Sequence, residues 1–536
     1  MDEQVLLGDE AVALGAVHAG LTAAYAYPGT PSTEIVEFLI RYAARHGRPL
    51  ATWSANEKTA YEAALGVSFA GRRALVAMKH VGLNVAADPF INSALLDLGG
   101  GLVVVVADDP GMHSSQNEQD TRFYADFART ICFEPANAQE AYDMTREAFD
   151  LSERFRVPVV VRLVTRLAHS RGVVRVAAPR EENPMRPPQN AAAWTLLPAN
   201  ARKLYRELLE GQQEVRALVG RHAANALSLA GCRLGVITCG IARNYYEENV
   251  ADLPQAPSHL HIGTYPMPID LIRRLVSHVE AVLVLEDGYP FVERTLRGVL
   301  QPPIEVRGKQ TGALPPDGEL TPDLVRTALG LPLHEGVAPP ALPLPSRPPQ
   351  LCAGCPHIDT FKSILKAVEG LNARVTSDIG CYTLGALPPF SAIHSCVCMG
   401  ASIGMAKGAA DAGLHPALAV IGDSTFLHSG ITPLIDAIAA NTNMTVIIAD
   451  NEVVAMTGGQ PTALPSSRIP PLLLGLGMDP EHLHVLETHP KQVDRNAEIL
   501  RREIAYPGLS VIVTVRECIE TARDRKRAPA AAAVTV

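Results

Sequence analysis

The sequence is short of positive charge: 47 lysines and arginines face 56 acids, a formal charge of −9, and no stretch interleaves basic with aromatic residues. The footprint that phosphate backbones select for is therefore missing, and no nucleic-acid partner is expected. No apolar run approaches the ~20 residues of a membrane-spanning helix. The opening residues, MDEQVLLGDEA, carry acids where a secretion signal carries a positive n-region. The expectation is a cytoplasmic protein with no membrane partner. Aromatics make up only 5%, so they do not pick out the lining of a substrate pocket. No short-period repeat of the solenoid kind occurs. In a reducing compartment the nine cysteines are not expected as structural disulfides, and their placement needs another cause.

What is present is an ordinary soluble composition, 47% apolar and 19% charged, in a chain long enough for about three domains. Short β-rich runs (LTAAYAY, ALVAMKH, GLVVVVADD, PVVVRLV) alternate with helical ones. Each ends in a polar or Gly-rich loop, the pattern of buried parallel strands joined by helices. Residues 175–200, rich in Pro and charge, read as a linker. RLGVITCG, HLHIGTYPMP and AVLVLEDGYP supply the strands of a second α/β unit. Pro-rich residues 331–350 separate it from a third, over 351–520. Residues 521–536, ending APAAAAVTV, read as a disordered tail.

The third unit contains LAVIGDSTFLHSGITPLIDAIAANTNMTVIIADNEVVAMTGGQ. One apolar strand ends in Gly422-Asp423-Ser424, and after an amphipathic segment a second leads to Asn451. A carboxylate and an amide oxygen at the ends of neighbouring parallel strands can share one hard cation. Mg²⁺ held by few protein oxygens leaves phosphate oxygens to complete its octahedron, and strand ends are where open α/β sheets bind ligands. The segment resembles the thiamine diphosphate–Mg²⁺ motif in all but one letter, Ser424 standing where that motif has Gly. An ordinary βαβ unit with an Asp in a loop is the plainer alternative. Thiamine enzymes also need a carboxylic acid at the cofactor's ring nitrogen N1′, supplied from another domain. In SANEKTAYEAALGVSFAG, Glu57 opens a helix and is preferred, with Glu62 its rival. Taken alone, a helical Glu is usually a solvated surface residue.

YPGTPSTEI, SANEK, MKHVGLNVAADP, DDPGMHSSQNEQD, CAGCPH, SDIGCYTLG, CVCMGASIGMA, GDSTFLHSG and AMTGGQ occur in this order. Over residues 5 to about 520 the chain thereby resembles the large subunit of indolepyruvate ferredoxin oxidoreductase, within the thiamine diphosphate-dependent 2-oxoacid:ferredoxin oxidoreductases. The resemblance implies an α/β fold of three parallel-sheet domains. These are a pyrimidine-binding domain over 1–185, a transketolase C-terminal-like domain over 186–330 and, after the linker, a diphosphate-binding domain over 351–520. It also implies oxidative decarboxylation of an aryl-2-oxoacid with coenzyme A, giving an aryl-acetyl-CoA, CO₂ and two electrons for ferredoxin, in a heteromer with a small second subunit. Carried over residue by residue, Asp423, Asn451 and the main-chain carbonyl of Val453 match the Mg²⁺ ligands, with Gly422 and Ser424 beside them. Thr457 and Gly458 match the loop that follows, where glycine lets backbone approach a cofactor. Glu57 matches the N1′ acid. Thr30, in the family's YPxTPS turn, is expected near the substrate's carboxylate or carbonyl, although a helix N-cap followed by Pro31 is equally good grammar. Lys79 and His80 match positions that contact cofactor or substrate, or are solvated loop residues.

Cys352 and Cys355 form a CxxC at the start of the third unit, Cys381 follows in DIGC, and Cys518 lies beyond the last strand, SVIVTVRE. In the wider family four cysteines at matching places hold one [4Fe–4S] cluster. Thiolates so spaced suit iron–sulfur or zinc, and only the former carries electrons. Cys396 and Cys398 read as small buried residues, and Cys132, Cys232 and Cys239 as inert residues in strand-like contexts. The sequence holds no CxxCxxCxxxCP run of a ferredoxin-like domain, so electrons are expected to leave through ferredoxin, another acceptor or a partner subunit. The runner-up is a non-oxidative thiamine decarboxylase or carboligase, which would keep Asp423, Asn451 and Glu57 but need no cluster.

Overall fold

The computed structural model describes residues 3–298, 304–336 and 350–527. The chain forms two compact units, one within residues 1–338 and the other within 339–536.

In the first unit a seven-stranded sheet runs in the order Thr264–Tyr265, Cys132–Phe133, Val159–Val164, Leu102–Asp108, Ala74–Lys79, Ala23–Ala26, Leu50–Trp53. Every pairing is parallel except the first. LVVVVAD and VVVRLV are buried along their whole length, because helices cover both faces of a parallel sheet. Each such Val or Leu contributes ~1.5–3 kcal/mol. From Ala23–Ala26 the chain goes out to Leu50–Trp53 at the edge, then returns to Ala74–Lys79 on the other side. The loops after Ala26 and Lys79 therefore flank a switch point, the crevice where such sheets take ligands.

A five-stranded sheet follows, in the order Glu305–Arg307, Ala281–Leu285, Leu234–Cys239, Ser258–Ile262, Asn225–Ser228, antiparallel only at its last pair. HLHIGTYPMP, read as one strand, is two: Ser258–Ile262 stays in this sheet, while Thr264–Tyr265 crosses to pair with Cys132–Phe133. The Asn225 amide makes the break possible. Its Oδ1 accepts from the Gly263 and Thr264 N–H groups at 2.9 and 3.1 Å, and its Nδ2 donates to the Thr264 carbonyl at 3.0 Å. The two sheets also share a core in which Val103, Phe133 and Val161 belong with Val236, Tyr245 and Leu283.

Residues 176–190 have no helix or strand, as a linker should, yet they are strapped down. Glu182 accepts from Arg72 at 2.6 Å and Thr22 at 2.8 Å, and the Arg186 N–H donates to the Ala70 carbonyl at 2.8 Å. Gly71 (φ +85°) permits this; a Cβ there would sit 2.7 Å from the Arg186 carbonyl oxygen. The rest of the expected linker is a helical turn, Ala191–Trp194, and the start of the helix Pro198–Val219.

The second unit is a six-stranded sheet, parallel throughout: Ser395–Cys396, Arg374–Ser377, Ala417–Gly422, Met444–Asp450, Leu509–Val515, Leu483–Glu487. Side chains alternate along Ala417–Gly422. Ala419 and Ile421 pack with Ile403 and Leu434 on one face, Leu418 and Val420 with Phe361 and Leu500 on the other. The first part of the expected tail is helical, Ile519–Arg527, stabilised by ion pairs such as Arg523–Glu520 at 2.6 Å. Residues 528–536, like 337–349 of the Pro-rich linker, lie outside the described residues.

Candidate cofactor site

Three acids sit where strands of the second unit end: Asp378 after Arg374–Ser377, Asp423 after Ala417–Gly422, and Asp450 closing Met444–Asp450. The first two flank that sheet's own switch point, since Ser395–Cys396 lies on one side of Arg374–Ser377 and Ala417–Gly422 on the other. Asp378 is fully engaged by Tyr382 and by the Ser402 hydroxyl and N–H; burial, only partly offset by these bonds, lifts its carboxyl to about 6. Asp423 and Asp450 differ: each is buried and each has an Oδ2 with no hydrogen-bond partner among the described residues. Burial first, and Asp450 second, hold the Asp423 carboxyl well above the usual carboxylate range. Two buried acids side by side are relieved by a proton held between them or by a cation nearby. Asp450 was passed over in the sequence because it reads as the last residue of an apolar strand.

Beside them, Asn451 Oδ1 accepts from the Val453 N–H at 3.3 Å. The chain turns there through Glu452, whose φ of +69° is a left-handed conformation that costs a non-glycine residue energy. Val453–Val454 then pairs with Gln460–Pro461, so Thr457, Gly458 and Gly459 form the tip of a hairpin. The buried Gln460 braces the tip, its Oε1 accepting from Thr457 Oγ1 at 2.6 Å and its Nε2 donating to the Thr457 carbonyl at 2.7 Å. Gly422 is required by its neighbour, because a Cβ would meet the Tyr382 ring at 2.6 Å. Ser424, at the motif's odd letter, is buried within the short helix Asp423–Thr425. A π-helical turn, Phe426–Gly430, follows, a widening often found at functional sites.

The four cysteines named from sequence act on one another electrically. Burial raises the Cys355 thiol to about 11, with Cys352 and Cys518 adding to it. Burial raises Cys381 to about 12, with Cys355, Cys518, Cys352 and Asp423 adding. Two residues lace this group to the acids. The Cys518 N–H donates to the Asn451 carbonyl at 3.1 Å, and the Arg516 N–H to the Asp450 carbonyl at 3.1 Å. The Arg516 guanidinium also reaches Asp359, the Thr488 carbonyl and the Gly354 carbonyl of the CxxC loop, each at 2.8 Å. His357, next to Pro356, lies 3.5 Å from Asn451 Nδ2; burial and Arg516 push its pKa down to about 4, so the ring is neutral. Sequence reasoning named neither Arg516 nor His357. Cys396 and Cys398 are exposed rather than buried, because Ser395–Cys396 is the outermost strand of its sheet. Cys132 and Cys239 are buried in strands, while Cys232 precedes its strand and is half-buried.

In the first unit, Glu57 opens the helix Glu57–Phe69, capped by Asn56, whose Oδ1 accepts from the Thr59 N–H at 2.8 Å. Glu57 is 5% exposed, whereas the rival Glu62 is exposed and paired with Lys58. Gly82 makes room for the Glu57 side chain: a Cβ there would sit 2.5 Å from Oε1. Lys79, the last residue of its strand, donates to the Ser114 carbonyl and hydroxyl at 2.8 and 3.0 Å and stands 3.9 Å from Asp109. Burial lowers its pKa to about 8 against the pull of Asp109. The Ser114 hydroxyl also reaches the Thr30 carbonyl at 3.3 Å. Thr30 is not a helix N-cap, since the helix is Thr33–His46 and the Gly29–Ser32 turn is held by Ser32 Oγ donating to the Gly29 carbonyl at 2.8 Å. His80 is almost wholly buried, and burial lowers its pKa against the pull of Asp108 and a bond to Gln119. Asp109 and Ser114, which organise this corner, were not singled out in the sequence.

Comparison with known proteins places the chain among relatives. A family model described as "Pyruvate flavodoxin/ferredoxin oxidoreductase, thiamine diP-bdg" matches residues 14–211. A second, "Thiamine pyrophosphate enzyme, C-terminal TPP binding domain", matches residues 378–472. Indolepyruvate oxidoreductase subunit IorA of Archaeoglobus fulgidus is 38% identical over 97% of this chain and 88% of its own length. The subunit of that name from Methanothermobacter marburgensis is 37% identical over 97% and 87%. Among solved structures, 2-oxoglutarate:ferredoxin oxidoreductase from Magnetococcus marinus matches with a TM-score of 0.50 and 18% identity over 61% of this chain and 65% of that one, a likeness of fold.

Proposed function

Because the chain belongs to the family of the indolepyruvate oxidoreductase subunit IorA, a family of thiamine diphosphate-dependent 2-oxoacid oxidoreductases, we propose that its own substrate is an aryl-2-oxoacid of the indolepyruvate kind. Coenzyme A takes the acyl group, ferredoxin or a similar acceptor takes the electrons, and a small second subunit completes the enzyme.

The side chains of Asp423 and Asn451 and the carbonyl of Val453 would hold Mg²⁺, and the Thr457–Gly459 tip would lie against the diphosphate. Cys352, Cys355, Cys381 and Cys518 would hold one [4Fe–4S] cluster. When bound, thiamine diphosphate supplies an electron sink for loss of CO₂ and the cluster supplies one-electron transfer. The chain's residues prepare the ground. Glu57, buried where water cannot compete for it, is the acid offered to the cofactor's ring nitrogen. Lys79 and Thr30 present a cation and a hydroxyl to the substrate's carboxylate. His80, kept neutral by burial, can donate one hydrogen bond and accept another.

The observation that carries this reading is the adjoining pair of buried acids, Asp423 and Asp450, in the same unit as the thiols gathered around Cys355 and Cys381. The test is an anaerobic assay of a panel of 2-oxoacids, with and without coenzyme A and a one-electron dye, on enzyme analysed for iron and acid-labile sulfide. Dye reduction that depends on an aryl-2-oxoacid and coenzyme A is the expected result. Decarboxylation without iron, sulfide or dye reduction would give the site to non-oxidative chemistry instead.

A further inference from the structure

Asp9, Glu34 and His169 come from three separate elements: the first turn of the helix Gly8–His18, the first turn of Thr33–His46 and the end of Thr165–His169. The fold gathers them so that one ligand-type atom of each lies within 4.8 Å of the other two. Asp9 is wholly buried and neither of its carboxylate oxygens has a hydrogen-bond partner among the described residues; Glu34 Oε2 is likewise buried and unsatisfied. The side chains of Glu34 and His169 are 34% and 37% exposed and stand 3.6 Å apart. Asp9 thus forms the closed inner wall of a small polar site whose mouth, Glu34 and His169, opens to solvent.

We propose that Asp9, Glu34 and His169 bind a divalent first-row transition-metal ion, Zn²⁺ or Mn²⁺, apart from any Mg²⁺ at Asp423. A buried carboxylate with two idle oxygens costs more free energy than nearly any other side-chain arrangement. A proton shared with Glu34 engages one oxygen of each acid and still leaves an Asp9 oxygen idle, whereas a bound cation compensates the charge on both acids. Two carboxylates and a neutral imidazole balance a 2+ charge, and their mixed oxygen–nitrogen donor set suits zinc or manganese over magnesium, which takes oxygen. The ligand atoms need only draw in from their present spacing to bonds of about 2.0–2.2 Å, and the two outer side chains are free enough of packing to do so. With water in the remaining position, the ion would staple three helices. One of them, Thr33–His46, begins just after the turn that carries Thr30. The role is structural and does not depend on the substrate assignment.

The test uses the full chain, stripped with chelator and loaded with Zn²⁺ alone. Wild type should retain one more equivalent than Asp9→Asn, Glu34→Gln or His169→Gln, all of which keep every cysteine. Calorimetry should show a loss of affinity for the missing equivalent greater than the tenfold to hundredfold typical of removing an outer-shell partner. Zn²⁺ should raise the melting temperature of wild type more than that of Glu34→Gln, a variant changed at the exposed rim and so spared the folding risk of altering Asp9. Equal zinc uptake in all four proteins, or an equal thermal shift in wild type and Glu34→Gln, would overturn the proposal and leave Asp9 a buried protonated acid.

Discussion

Glu57 and Glu62 share one helix, yet their surroundings give them opposite fates. Glu62 meets Lys58 in water, where an exposed pair is worth about 0–1 kcal/mol, while Glu57 is pressed against the bare α-carbon of Gly82. Glu57→Gln should leave thiamine diphosphate affinity within a few-fold of wild type while stopping exchange of the cofactor's C2 proton, measured by NMR in D₂O. Glu62→Gln should change neither, and normal exchange in Glu57→Gln would remove that residue from its role. Lys79 yields a pH prediction. Its pKa falls from the ordinary 10.5 to about 8 in the fold, chiefly through burial, so between these values the unfolded chain binds the extra proton and stability rises with pH. The cost of the buried ammonium is therefore present in full below about 8 and is relieved as pH approaches 10.5. Denaturation midpoints of wild type should gain on those of Lys79→Met over this window, and a constant difference would show that Lys79 does not titrate there. Asp423, Asn451, Glu57 and the Cys352/Cys355 pair could be picked out as candidates because each sits in a short run of telling letters. Asp450, His357 and Arg516 were not, since what they do depends on partners such as Asn451, 94 positions from His357, and Asp359, 157 from Arg516.

At the scale of elements, the strands were legible from their apolar runs, because a parallel sheet buried on both faces leaves few polar letters, such as Arg162 and Asp108, to break the pattern. The failures came where side chains replace backbone pairing. Asn225 lets HLHIGTYPMP divide between two sheets, and Glu182 and Arg186 turn a Pro-rich connector into a packed strap. Neither amide nor carboxylate announces such work locally. The chain beyond Leu509–Val515 shows the same principle at the candidate site. Arg516 extends the strand by bonding the Asp450 carbonyl and ties it to the CxxC loop through Gly354 and to the helix Pro356–Ala367 through Asp359. Removing this half-buried, multiply bonded charge leaves the buried Asp359 without its counter-ion. Arg516→Met should lower cluster retention on anaerobic desalting, read as iron per chain, while the circular dichroism of the remaining fold is kept. Full iron content in a folded Arg516→Met would show that the loop holds its cysteines unaided.

For the whole molecule, the proposed function divides labour between two units that each build a switch-point crevice from a parallel sheet. The first offers acid and substrate-directed groups, the second the metal ligands and thiols. A division of this kind predicts that variants fall into classes rather than losing everything together. Cys355 belongs to electron exit alone on this reading: it is buried, and its thiol answers to Cys352 and Cys518 through their charge, while none of the proposed Mg²⁺ ligands bonds to it. Cys355→Ala should therefore keep thiamine diphosphate binding and a measurable release of CO₂ from the 2-oxoacid, while reduction of a one-electron dye falls by on the order of a hundredfold or more, as for an interaction worth about 3 kcal/mol. Asp423→Ala should lose both, because it removes the anchor on which the cofactor depends. The comparison must be made on protein whose melting temperature shows the second unit intact, since a lost cluster can unfold the domain that holds it. If Cys355→Ala, still folded, loses CO₂ release and dye reduction to the same extent, the thiols serve cofactor binding and not electron transfer. If dye reduction persists at the wild-type rate, electrons leave by a route that bypasses the four cysteines.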